Sequence, residues 1–71
     1  MSERLLNNLK AERERLGWTQ AELATRVGVS RKTVNTIENH VFQPSALLAI
    51  KLARAIERRV EDVFTLIEGE A

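Results

Sequence analysis

The sequence predicts an all-α fold, and three of its features carry that prediction. Apolar residues recur three and four positions apart along most of the chain, the spacing that lines one face of a helix. Thr19, Ser30 and Ser45 stand just before such runs, where a hydroxyl caps the first free N–H groups. Gly17 and Gly28 stand just past the ends of two of them, where a left-handed residue closes a helix. With no internal repeat, low-complexity segment or linker, residues 1–71 are read as one domain.

Residues 1–6 read equally as a short strand or as the first turn of a helix. Asn7 or Asn8 caps a helix running to about Leu16, with Leu9 and Leu16 inward and Glu12, Glu14 and Arg15 outward. The stretch from Gln20 to Asn39 then reads as helix, tight turn, helix. Thr19 caps its first helix, Glu22 reaches back to complete a capping box, and Trp18 with Leu23 makes a hydrophobic staple. Leu23, Ala24 and Val27 form the inward stripe, which ends at Gly28. Val29 enters the core and Ser30 caps the second helix, where only Val34 and Ile37 are apolar. After a loop over Val41 to Pro44, Ser45 caps a fourth helix with Leu48, Leu52, Ala55 and Ile56 on one stripe. A fifth short helix runs from Val60 to about Thr65, and Leu66 and Ile67 continue an apolar edge.

A chain of 71 residues leaves no room for a separate ligand-sensing domain, and its stability should be modest unless it oligomerises. The absence of cysteine excludes disulfides and thiolate chemistry and suits a reducing cytoplasm, the expected location. The apolar run Ala46 to Ile50 is too short to span a bilayer, so no membrane partner is expected. Net charge is only +1, but up to Arg59 there are eleven Lys and Arg against six acids, while Val60 to Ala71 holds four acids and no base. The acidic end should therefore lie away from any polyanion that the basic body faces.

Enzyme chemistry finds little support. His40 is the only histidine, and no metal set, nucleophile motif or glycine-rich phosphate loop accompanies it. No catalytic residue, cofactor, metal or small-molecule site is expected. The second helix of the central stretch is more informative. At about 100° per residue, Lys32, Thr36 and Asn39 lie opposite the Val34–Ile37 stripe, with Asn35 on their flank and Arg31 in the first turn. Such a helix suits a DNA major groove, which admits one α-helix whose hydrogen-bonding side chains read base edges. An ordinary αα-hairpin with a solvated polar face accounts for the same spacing.

The run from Leu9 to Asn39, followed by PSALLAIKLA and VEDVF, resembles the lambda-repressor-like, Cro-type helix-turn-helix family (XRE family) over nearly the whole chain. Gln20, Leu23, Ala24, Gly28, Val29, Ser30, Val34, Ile37 and Glu38 carry the match. The resemblance implies a compact five-helix domain; Leu66 and Ile67 are in addition open to forming a short strand paired with residues near Leu5. It also implies a sequence-specific double-stranded DNA-binding transcriptional regulator, most simply a repressor on a palindromic operator. On the matching positions Arg31, Lys32, Thr36 and Asn35 would read bases, and Gln20, Ser30 and Asn39 would hold the backbone. Gln20 would also prop a base-reading side chain, and Arg13 and Glu38 would form a structural ion pair. The chain departs from the pattern at His40, which must take a left-handed conformation, and at Val41, where a phosphate-binding cation is usual. Glu57-Arg58-Arg59 also departs, so helix four is expected to run longer or Arg58 to reach a partner.

One reading helix covers too few base pairs to select a site in a genome, so a homodimer is expected. Val60, Val63, Phe64, Leu66 and Ile67, within the segment 60–67, are its expected interface. The alternative reading is an antitoxin-like interaction module that sequesters a protein partner through that same apolar segment.

Overall fold

A computed structural model describes residues 3–68 in the order β1 (Glu3–Asn7), α1 (Leu9–Arg15), α2 (Gln20–Val27), α3 (Arg31–Glu38), α4 (Ala46–Ala55), α5 (Val60–Val63) and β2 (Phe64–Glu68). The ends of the 1–71 span, including Met1 and Ser2 of the ambiguous N-terminal stretch and Glu70 of the acidic end, lie outside the described residues.

The helix starts follow their capping chemistry. The Thr19 hydroxyl accepts the Glu22 N–H at 3.1 Å, and the Glu22 carboxylate accepts the Thr19 N–H at 2.8 Å. Ser30 and Ser45 accept the N–H groups of Thr33 and Leu48 at 3.1 and 3.2 Å. Ahead of α1 the bond comes from Asn7, whose Oδ1 accepts the Leu9 N–H at 3.0 Å, an Asx turn rather than a side-chain cap from Asn8.

Helices α1 to α4 all end on the same pair of backbone bonds, the Schellman pattern. Two of these ends use Gly17 and Gly28 at positive φ, and the other two use His40 (φ 61°) and Glu57 (φ 58°). His40 therefore adopts the left-handed conformation its position demands. Glu57 overturns the expectation of a longer fourth helix. The Arg58 N–H bonds Ala53 O at 2.9 Å and the Glu57 N–H bonds Arg54 O at 3.1 Å, which closes α4 at Ala55. Arg58 turns back onto Glu12 of α1, with Nε to Oε1 at 3.1 Å, rather than outward.

The core is one cluster in which Leu9, Leu23, Val34, Ile37, Leu52, Ile56 and Val63 are fully buried. Each such side chain stabilises the fold by about 1.5–3 kcal/mol relative to exposure. On α4 the innermost stripe is Ala49, Leu52, Ala53 and then Ile56, with the expected Leu48 and Ala55 only half-buried at its margin. Helix α5 is shorter than expected. Phe64 is already extended (φ −113°, ψ 129°) and begins β2, so Thr65 is in a strand. β2 pairs antiparallel with β1, placing Leu5 opposite Leu66 and Leu6 opposite Thr65. The ambiguous N-terminus is thus a strand from Glu3, and the terminal strand pair is formed. No helix among the described residues is long and apolar enough to cross a membrane.

Candidate nucleic-acid interface

Helix α3 is fixed on one side and free on the other. Val34 and Ile37 are fully buried and Glu38 is 8% exposed, whereas Arg31, Lys32 and Asn39 are exposed and Asn35 and Thr36 are half-buried between them. The sequence dictates this division: only the i, i+3 pair Val34 and Ile37 is apolar, so only one orientation buries hydrocarbon.

Glu38 belongs to the buried side because Arg13 meets it there. Arg13 Nε donates to Oε2 at 2.7 Å and Nη2 to Oε1 at 3.2 Å, a two-pronged guanidinium–carboxylate pair. Arg13 Nη1 also donates to Trp18 O at 2.8 Å, tying α1, the α1–α2 turn and α3 together. The bond to Glu38 raises the Arg13 pKa above its ordinary value.

A row of amides runs from this pair to the exposed face. Gln20 Nε2 donates to Glu38 Oε1 at 3.1 Å. Asn35 Nδ2 donates to Gln20 Oε1 at 3.4 Å, and Asn39 Nδ2 to Asn35 Oδ1 at 3.3 Å. The structure thus brings Gln20, Asn35 and Asn39 together beside Arg13 and Glu38. Thr36 spends its hydroxyl proton on Thr33 O at 3.0 Å, and Ser30 is occupied with the N–H and hydroxyl of Thr33. Arg31 and Lys32 make no side-chain hydrogen bond or ion pair among the described residues, leaving two cations free at the start of α3.

Other contacts were not visible from the sequence. Arg26 lies over the Trp18 ring, 4.0 Å from its centre, a cation–π contact. Asn7 Nδ2 donates to Ile37 O at 3.0 Å and meets His40 Nδ1 at 3.4 Å, linking β1 to the end of α3. Asparagine after an apolar run was the only signal, and it read equally well as a helix cap.

The expected pairing surface needs correction. Val63 and Phe64 are 1% and 6% exposed within the single chain and belong to its core, and Val60 packs half-buried against it. A domain this small has few apolar side chains to spare, and it uses these internally. Leu66 and Ile67 remain exposed on β2, and a second exposed apolar set lies on and before α4, at Phe42, Leu47 and Ile50.

A family model described as helix-turn-helix matches residues 9–63. An uncharacterized HTH-type transcriptional regulator of Methanothermobacter thermautotrophicus is 45% identical over 64 residues, spanning 89% of this chain and 93% of the relative. Antitoxin HipB of Escherichia coli O6:H1 is 34% identical over 53 residues, 75% of this chain and 56% of HipB. Among solved structures, the P22 c2 repressor in complex with a synthetic operator superposes with a TM-score of 0.73 at 26% identity, covering 75% of this chain and 80% of that one.

Proposed function

The chain belongs to the helix-turn-helix family, and from that premise we propose that it is a cytoplasmic transcriptional regulator that binds double-stranded DNA with α3 in the major groove. The observation that carries this reading is the division of α3, anchored by Val34, Ile37 and Glu38 and open at Arg31, Lys32, Asn35, Thr36 and Asn39. Arg31, Lys32, Asn35 and Thr36 read base edges, while Asn39, Gln20 and Ser30 lie against the backbone. The named relative is a transcriptional regulator and the P22 neighbour is a repressor on an operator, which supports repression by occupancy.

The chain acts as a homodimer, and its pairing face is α4 rather than the C-terminal segment. Leu47 and Ile50 stand i, i+3 on one stripe, 70% and 47% exposed, with Phe42 in the preceding loop 49% exposed. Leu66 and Ile67 are consecutive in a strand and point to opposite faces, so they make no joint patch. Two-fold pairing sets the reading helices about 34 Å apart, on half-sites one turn of duplex apart.

HipB favours a second reading, in which the chain sequesters a protein partner. The surface expected for that task is weakened by the burial of Val63 and Phe64. Selection of bound sites from random duplex DNA separates the two. Enrichment of one palindrome, with affinity falling steeply as salt rises, is expected for the regulator. Recovery of unrelated sequences only would overturn it.

A further inference from the structure

Resting on the DNA-binding reading, we infer that Asn35 is a dedicated adenine reader whose amide is oriented by the buried Glu38 carboxylate acting through Gln20. The argument is one of hydrogen-bond direction. An ionised carboxylate only accepts. Glu38 takes two N–H groups from Arg13, at 2.7 and 3.2 Å, and one from Gln20 at 3.1 Å. Gln20 must therefore turn its NH2 toward Glu38 and its Oε1 away.

That oxygen then faces Asn35, which must answer with its own NH2, as it does at 3.4 Å. Asn35 is left with its Oδ1 turned toward Asn39, whose Nδ2 donates to it at 3.3 Å. Reversing either amide would set oxygen against oxygen or N–H against N–H along the row. One proton on Asn35 Nδ2 and one lone pair on Oδ1 remain uncommitted among the described residues.

A donor beside an acceptor matches one base edge in the major groove. Adenine presents an N7 acceptor next to an N6 donor, whereas guanine presents two acceptors. Arg31 and Lys32 carry donors only and match guanine instead. Asn35 differs from both in a second respect. It is half-buried and held at two points, so its amide is set before DNA arrives.

The test is a binding profile of the full chain against every single-base change in its selected site. It is run for wild type, Asn35→Asp and Gln20→Met, with thermal melts confirming that each variant is folded. Wild type should show one adenine per half-site whose replacement costs about tenfold or more in affinity. Asn35→Asp, an acceptor without a donor, should shift the preference at that pair toward cytosine. Gln20→Met releases the amide and should lower the adenine preference at that pair, over and above a uniform loss of affinity from its backbone contact. A profile in which Asn35→Asp alters no single position overturns the assignment. So does a Gln20→Met profile weakened equally at all positions, which would make Gln20 a phosphate contact alone. If wild type prefers no duplex over any other, the DNA-binding reading itself falls and this inference falls with it.

Discussion

Replacing Arg13 with Met removes the three N–H groups that it gives to Glu38 and to Trp18 O, at 2.7, 3.2 and 2.8 Å. The Glu38 side chain is only 2% exposed, so its charge is left desolvated with Gln20 as its one remaining side-chain donor among the described residues. Breaking a buried pair from one side costs about 3–5 kcal/mol. In so small a domain water lies close, and we expect the lower end of that range. The whole fold of a chain this long is worth about 4–10 kcal/mol, so the loss is a large fraction of it. Glu38→Gln keeps the volume but removes the charge opposite Arg13, at an expected cost of about 2–3 kcal/mol. Replacing both partners, as Arg13→Met with Glu38→Gln, strands no charge and should cost about 1–2 kcal/mol less than the sum of the two single changes. Urea unfolding followed by circular dichroism and by Trp18 fluorescence measures all four proteins, provided the m-values agree. Single changes that each cost under about 1 kcal/mol and add in the double variant would place the pair effectively at the surface and refute the reasoning.

Leu47→Glu with Ile50→Glu should abolish dimerisation in sedimentation experiments while Leu66→Glu leaves it intact; the opposite result moves the interface to β2. Glu57→Gly should stabilise by about 1 kcal/mol in urea melts, because a side chain at φ 58° is strained where glycine is not. The Glu22 carboxyl is held below its ordinary pKa, chiefly by the Thr19 backbone N–H. Its contribution is therefore complete above the ordinary carboxylate value and lost as pH falls through the lower folded one. Glu22→Gln should be less stable than wild type at neutral pH, with the difference closing in acid. A gap that persists unchanged at low pH would assign it to packing instead.

Local chemistry was the legible part of this fold. The capping box at Thr19 and Glu22, the caps at Ser30 and Ser45 and the closure at Gly28 each depend on a few neighbouring residues, so the central motif could be read in full. The Arg13–Glu38 contact was visible only through the family resemblance, since 25 residues separate the partners. What failed was what tertiary context decides. Composition says that Val63 and Phe64 are apolar but not whether they face this chain or another, and the short core claimed them. A five-residue strand with exposed Leu66 and Ile67 side by side has no clean alternation, so β2 was expected to begin as helix. Glu57 lacks any left-handed preference, and only the two backbone bonds that close α4 reveal its role. The amide row through residues 20, 35 and 39 could not be seen from spacing, because its direction is set by a buried charge on another turn.

The central claim is that the open face of α3 reads DNA sequence. It is tested most directly by titrating the chain with its selected duplex and with a scrambled duplex at the same physiological salt, for wild type, Arg31→Ala and Lys32→Ala. The account predicts that wild type binds the selected duplex at least about a thousandfold more tightly than the scrambled one. Each alanine variant should lose about 1–3 kcal/mol of that discrimination at its own base pair. Equal affinity of wild type for both duplexes, or variants whose base preferences match wild type, would contradict it.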